Sequence, residues 1–322
     1  MAAHELRFTE RSLEPAPETR KAETMAQAPE LDFDSFVNRM KGERVGGGPE
    51  STGHDYSYIL DRQTRAAFEK ARPVELAVAA TVRMFKQVWR GQLLGQAVKV
   101  SDRQFPRIHR LTQQCADTLH IPMPSVYLVS NPYLNAATYG TNEDSFIMVH
   151  SALADQYSDE ELLSVIGHEC GHIHNSHVVY LTALNYLTQM AGVFVSWIVQ
   201  PALIALKAWS RRAEITCDRA GMLCSKDVTV SSRGLAKLVV GSKRLYEEFN
   251  LEAFLEQYDE QKDGLGKYME AFATHPYLPK RVLAMRTFAE SELYRKAAKL
   301  GDGGLTMTEV DDRVLALLKG DA

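Results

Sequence analysis

The stretch Ser158–His177 reads SDEELLSVIGHECGHIHNSH, and its centre is His168-Glu169-Cys170-Gly171-His172. Two imidazoles four residues apart on a helix lie on one face, where both can reach a single metal ion. The glutamate between them points close to that face, where it can activate a metal-bound water. Ser158 followed by Glu161 forms a capping box and predicts a helix start at about Asp159. Leu162, Val165, Ile166, Glu169 and Ile173 then recur at helical spacing and carry the helix through the motif. Gly167 and Gly171 are poor helix formers, costing about 1 kcal/mol each against alanine. Without side chains they let another helix or a substrate backbone come close. The bland alternative is a pair of solvated histidines on a surface helix. The cap, the register and the intervening glutamate weigh against it.

Outward from this helix, the 322 residues allow one large domain or two small ones. Charged residues make up 24% and hydrophobic residues 45%, as in a globular protein with a substantial core. A net charge of −4, a pI near 6.2 and the lack of a basic stripe weigh against nucleic acid as a partner. The four cysteines, Cys115, Cys170, Cys217 and Cys224, form no CxxC pair. With no signal peptide before them, a reducing, cytoplasmic setting is expected.

Residues 1–55 carry Glu14-Pro15-Ala16-Pro17-Glu18 and Gly46-Gly47-Gly48-Pro49 and few apolar positions, so a mobile leader is expected there. Residues 56–300 then form the main domain and 301–322 a tail with a short helix. Within the domain the pattern predicts a helix over Val74–Trp89 and a strand at Val98–Val100. A second helix is predicted over Arg103–Leu119, with Pro106 in its first turn. Strands follow at Ser125–Ser130, Asn135–Tyr139 and Phe146–His150, and the chain from Ser158 on is mostly helical.

A catalytic zinc site usually has three protein ligands and an open position. A histidine six residues past His172 would suit the metzincin pattern, but that position is Val178, and the expected glycine is Asn175. His174 and His177 project off the face of His172 and are expected as surface groups or as partners of a ligand. No acidic residue lies between Ile173 and Ala213. The first is Glu214, followed one turn later by Asp218. On a helix this pair shares a face, so Glu214 can ligate metal while Asp218 hydrogen-bonds a ligating imidazole. The alternative is a solvated acidic pair partnered by Arg211, Arg212 and Arg219. Cys217 can approach the metal, although buried inert thiols are the expected account of both Cys217 and Cys170.

The elements VIGHECGHIHNSH, RRAEITCDRAG and THPYLPKRV, in that order, resemble the HtpX-like zinc metallopeptidases, which include the CAAX-prenyl proteases. The resemblance spans roughly Val98–Ala289 and includes the strand NAATY. It implies one Zn2+ per chain held by His168, His172 and Glu214, with Glu169 as general base. It also implies that His275, in Thr274-His275-Pro276, donates to the oxyanion, where electrostatic stabilisation has most effect. Asn135, Ala136 and Ala137 would lie on the strand that binds an extended polypeptide by main-chain pairing. Apart from the resemblance, a lone His-Pro is more simply a turn, and Arg281 a structural ion-pair partner. Cys170 and Cys217 occupy variable positions of the motifs, and the intervening segment lacks two long membrane spans.

That segment, Val178–Leu206, carries no charge and is long enough to cross a bilayer once. One crossing would leave His172 and Glu214 on opposite sides, so a ligating Glu214 requires the chain to turn back. A buried helical hairpin is expected, with a peripheral or membrane-dipping hairpin as the alternative. Lys207, Arg211 and Arg212 at its exit would suit anionic headgroups. The expected fold is α+β: a mainly helical, zincin-like metallopeptidase domain with a small β-sheet beside the metal helix. The expected activity is zinc-dependent endopeptide hydrolysis, against the alternative of a zinc-stabilised scaffold or chaperone-like adaptor without turnover.

Overall fold

The computed structural model describes residues 54–70, 78, 95–142, 144–190, 196–259 and 278–319. The expected leader up to residue 53, all but one residue of the helix expected at 74–89, and His275 lie outside the described residues.

The sheet has four strands: β1 (Ala97–Lys99), β2 (Ser125–Val129), β3 (Ala136–Gly140) and β4 (Ser145–His150), in the order β1-β2-β4-β3. β2 and β4 are parallel, while β1 pairs antiparallel with β2 and β3 antiparallel with β4. Alternation along β4 buries Ile147 and Val149 on one face, as a half-covered strand requires. β3 is an edge strand, and it begins one residue later than the sequence predicts. Asn135 stands just before it, its carbonyl accepting the His150 amide at 3.0 Å.

Helices supply the rest. Among the described residues the first in chain order is α1 (Ile59–Lys70). Next comes α2 (Pro106–Leu119), which starts three residues after the predicted Arg103. The delay has a local cause. Ser101 and Gln104 exchange backbone hydrogen bonds, Phe105 takes a left-handed conformation at φ 60°, and Pro106 then opens the helix at its first position. After α3 (Ser151–Gln156) comes the motif helix α4 (Asp159–His174), whose Ser158–Glu161 capping box is present in full. Such caps stabilise a helix by about 1 kcal/mol.

α4 is buried on most of its circumference. α2 lies on one side, where Cys115 Sγ meets the Leu163 carbonyl at 3.4 Å. On another lies α6 (Ser196–Ser225), reached through α5 (Val178–Met190). α4 and α6 run antiparallel at very close range. A Cβ added at Gly167 would sit 2.7 Å from Cys224 Cβ, one at Gly171 2.7 Å from Ala220 Cβ, and one at Gly221 2.5 Å from the Ser164 carbonyl. The glycines that weaken the helix locally are therefore what lets the two backbones approach.

α5 and α6 form the hairpin expected from the uncharged run. Tyr180, Ala183, Leu184, Leu203, Leu206, Trp209 and Ala213 share a small buried core with Val78. Among the described residues no helix is long and apolar enough to cross a membrane. The hairpin tip, 191–195, lies outside them.

The remaining helices are α7 (Val228–Val240), α8 (Lys243–Tyr246), α9 (Leu251–Asp259), α10 (Leu278–Ala289), α11 (Glu292–Ala297) and α12 (Met307–Lys319). α12, in the stretch expected as a tail, places Val310 and Val314 in the main core. Arg219 on α6 is 1% exposed and binds both ends of the described chain. It donates to Asp311 on α12 at 2.7 Å and to the Tyr56 carbonyl at 3.1 Å.

Candidate active site

Antiparallel packing of two helices that each carry functional groups at a four-residue interval sets two pairs face to face. His168 stands opposite Asp218 and His172 opposite Glu214. The imidazoles of His168 and His172 are 4.9 Å apart between centroids, at 80° to each other. Glu214 lies across both: its Oε2 is 3.6 Å from His168 Nε2 and its Oε1 3.7 Å from His172 Nε2. These separations are too long for hydrogen bonds. They match two ligands on one ion, since tetrahedral zinc bound at about 2.0–2.1 Å sets its ligands about 3.4 Å apart.

The other ring nitrogens are engaged elsewhere. His168 Nδ1 is 3.0 Å from Asp218 Oδ1. Arg281 on α10 holds that carboxylate in a fork, through Nη2 to Oδ1 at 2.6 Å and Nε to Oδ2 at 2.8 Å. Its third nitrogen, Nη1, is 3.0 Å from Glu214 Oε2. Glu214, Asp218 and Arg281 are all buried, at 2%, 6% and 6% exposure, so the acidic pair is not a solvated one. Arg219, one of its expected surface partners, pairs with Asp311 instead.

Burial works against every charge here and the pairing overcomes it. Burial alone would raise the Asp218 carboxyl, but Arg281 and then His168 hold it below the usual carboxylate range. Burial would lower His168, but the Asp218 hydrogen bond and the Glu214 charge raise it above an ordinary histidine. Burial would also lower Arg281, and Asp218 and Glu214 raise it further above its usual value. A buried cation among two carboxylates is costly to desolvate, and breaking one partner out of such a set is costlier still.

Glu169, between the two histidines, is 6% exposed. Its Oε2 accepts a hydrogen bond from Thr138 Oγ1 at 2.6 Å, and the same hydroxyl lies 3.2 Å from the Glu169 carbonyl. Thr138 sits in the middle of β3, so the glutamate is tied to the edge strand. Along that strand Asn135 pairs with His150 on β4, while the Gly140 amide turns the other way to Thr182 Oγ1 at 3.2 Å. Antiparallel alternation then directs the backbone groups of Ala136 and Thr138 to the outer edge, and those of Ala137 to β4. Among the described strands none pairs with that edge.

His174 and His177 part company. His174 leaves the cluster: Tyr56 Oη lies 2.8 Å from its Nδ1, and His54 stacks on its ring at 3.2 Å between centroids. Burial first, then the charges of His54 and His120, push it down to about 3. His177 turns inward instead, its Nδ1 3.2 Å from His172 Nδ1. Arg281 is an ion-pair partner, as the sequence suggests, and its carboxylates are Asp218 and Glu214; Thr138 could be linked to Glu169 only in three dimensions. An alternating strand and a lone basic residue carry no local sign of which carboxylate they will meet.

Cys217 offers a competing ligand set, because one atom each of His168, His172 and Cys217 lies within 4.8 Å of the others. Its sulfur is 3.2 Å from His172 Nδ1, the nitrogen opposite the one that faces Glu214. Burial, followed by the nearby Glu214 charge, pushes its thiol well above the usual range, which disfavours the thiolate a metal would need. Cys170 is fully buried, and burial raises its thiol in the same way.

Sequence comparison covers this same region. The sequence model of Peptidase family M48 matches residues 102–289. The chain is 32% identical over 269 residues to the plastoglobule-localized metallopeptidase 48, chloroplastic, of Arabidopsis thaliana, over 80% of this chain and 78% of that protein. It is 26% identical over 230 residues to the protease HtpX homolog of Moorella thermoacetica, over 59% of this chain and 74% of that protein. The matched segment contains β3, both helix motifs and His275, and α1 precedes it.

Proposed function

Because this chain belongs to peptidase family M48, a family of metal-dependent proteases, we propose that it is a zinc endopeptidase with His168, His172 and Glu214 as ligands. The observation that carries this reading is the placement of Glu214. It spans both Nε2 atoms at 3.6 and 3.7 Å while each Nδ1 is turned to another partner. Two nitrogens and a carboxylate oxygen are the donor set of a catalytic rather than a closed structural zinc site.

Bound zinc would polarise the scissile carbonyl and make water acidic enough to attack it at neutral pH. Glu169 takes the proton of the attacking water and delivers it to the leaving amine. Thr138 holds the carboxylate that does this. Asp218, gripped by Arg281, fixes the ring of His168. The outward backbone groups of Ala136 and Thr138, with Asn135 at the strand entrance and Ala137 between them, would pair with an extended polypeptide and demand little of its sequence. His275, outside the described residues, is the proposed donor to the oxyanion.

Replacing Glu169 by glutamine keeps the size and the Thr138 contact but removes the base. Glu169→Gln is expected to retain zinc and lose cleavage of unfolded casein by a factor of about 100 or more. A metal chelator should abolish cleavage by the unmodified protein. Undiminished digestion by the variant would sink the mechanism.

A further inference from the structure

Behind the metal site a chain of buried polar contacts runs from His172 to α1. His172 Nδ1 is 3.2 Å from His177 Nδ1, and His177 Nε2 is 3.0 Å from Asp61 Oδ2 on α1. Asp61 Oδ1 accepts from Trp209 Nε1 at 2.8 Å, and Oδ2 from Thr216 Oγ1 at 2.7 Å. Thr216 Oγ1 in turn accepts the Tyr58 amide at 3.1 Å. His177 is 0% and Asp61 1% exposed, so this chain is closed to bulk water.

At the far end of this chain the donors are fixed. The Tyr58 amide is a donor only, so the Thr216 hydroxyl spends its own proton on Asp61. Trp209 Nε1 is likewise a donor only. Burial would raise the Asp61 carboxyl, but His177, Thr216 and Trp209 together hold it below the usual range. Asp61 faces the Nε2 edge of His177, 3.0 Å away. The opposite edge of that ring meets His172 Nδ1, with Cys217 Sγ 3.2 Å from His172 Nδ1 and 3.6 Å from His177 Nδ1. The ring of His172 is thereby held with Nε2 turned to Glu214.

We infer that Asp61 and His177 are positioning residues of the metal site, which hold the ring of His172 so that Nε2 is presented as a ligand. The inference rests on His172 being a ligand, as proposed above. His168 has a carboxylate anchor directly, in Asp218. His172 has one at a remove, through a second imidazole, and that anchor comes from upstream of the segment 102–289 matched by the family. The helix α1 is on this account part of the metal-binding unit rather than a lead-in to it. Partners of this kind typically contribute a factor of about 10–100 to metal affinity.

The test uses the full chain loaded with zinc. In the unmodified protein, nitrogen-15 imidazole NMR should find His172 bound to zinc through Nε2; zinc on Nδ1 would overturn the proposal. Asp61→Asn and His177→Gln are expected to raise the zinc dissociation constant by about 10–100-fold in chelator competition. Zinc affinity within twofold of the parent in both variants would overturn it as well. Asp311→Asn provides a control for stability and for the seating of α1, since it weakens the buried Arg219 pair and the contact to the Ile59 amide without touching Asp61 or His177. It should lower the melting temperature and leave zinc affinity unchanged. Equal weakening of zinc binding by Asp311→Asn would reduce Asp61 to a structural role. His172→Ala separates the two readings: if it binds zinc as tightly as the parent, the ligand assignment fails, whatever Asp61 does.

Discussion

Thr138, on the edge strand, donates its hydroxyl to the carboxylate of Glu169 on the motif helix at 2.6 Å. The residue whose backbone faces the outer edge thus also orients the proposed base. Hydrogen bonds to charged groups contribute about 1.5–3 kcal/mol. Thr138→Val keeps the shape and the strand propensity but removes that bond. It is expected to lower kcat on the order of tenfold with little change in KM, and Thr138→Ser should recover most of the loss. Steady-state kinetics on a fluorogenic peptide would decide it, and an unchanged kcat in the valine variant would break the link.

The two candidate ligand sets make opposite predictions about metal content. Glu214→Ala removes the carboxylate that lies across both Nε2 atoms and should leave the purified protein without stoichiometric zinc. Cys217→Ser replaces a thiol on the far side of His172, and should keep one zinc per chain. Elemental analysis after dialysis reads both. Zinc lost from the serine variant and kept by the alanine variant would transfer the third position to sulfur.

Close helix packing can be tested at Gly171. Alanine is the better helix former by about 1 kcal/mol, yet its Cβ would lie 2.7 Å from Ala220 Cβ and 3.2 Å from the Cys217 backbone. Overpacking of this kind costs about 1–3 kcal/mol, so Gly171→Ala should be destabilising on balance. Urea denaturation should show a lower midpoint. A higher one would mean that α4 and α6 are further apart than described.

His174 predicts a pH dependence of stability. Burial holds it down to about 3 in the folded protein, against an ordinary value of 6.5 in the unfolded chain. Below 6.5 the unfolded chain binds a proton that the folded one refuses, so stability falls as pH drops from 6.5 towards 3. The slope for one such group is at most about 1.4 kcal/mol per pH unit, and less here because the ring is only partly buried. His174→Gln should remove this component. The stability difference between variant and parent should therefore shift in favour of the variant as the pH is lowered; a difference independent of pH would contradict the shift.

Much of the site could be read from local spacing, because a helix makes residues four apart neighbours wherever it occurs. That rule placed His168 with His172 and Glu214 with Asp218, and the Ser158–Glu161 cap marked where the motif helix begins. The return of the chain after the uncharged run followed from the same pair, since His172 and Glu214 must meet. The strands were found to within a residue at each end. The start of α2 was misplaced because the Ser101–Gln104 turn and the left-handed Phe105 are not periodic features.

What spacing could not supply are the contacts between elements far apart in sequence. The motif helix, its glycines, the acidic pair and the expectation of a small sheet beside them were determined by the sequence alone. Only the tertiary structure decided that Gly167 and Gly171 accept a helix rather than a substrate. It alone turned His177 inward and His174 outward, set Cys217 on the far edge of His172, and brought Asp61 and Thr138 to the two sides of the site. Periodicity is a property of one helix or strand. Which buried donor meets which buried acceptor is fixed only when separate elements pack and each polar group must find a partner away from water.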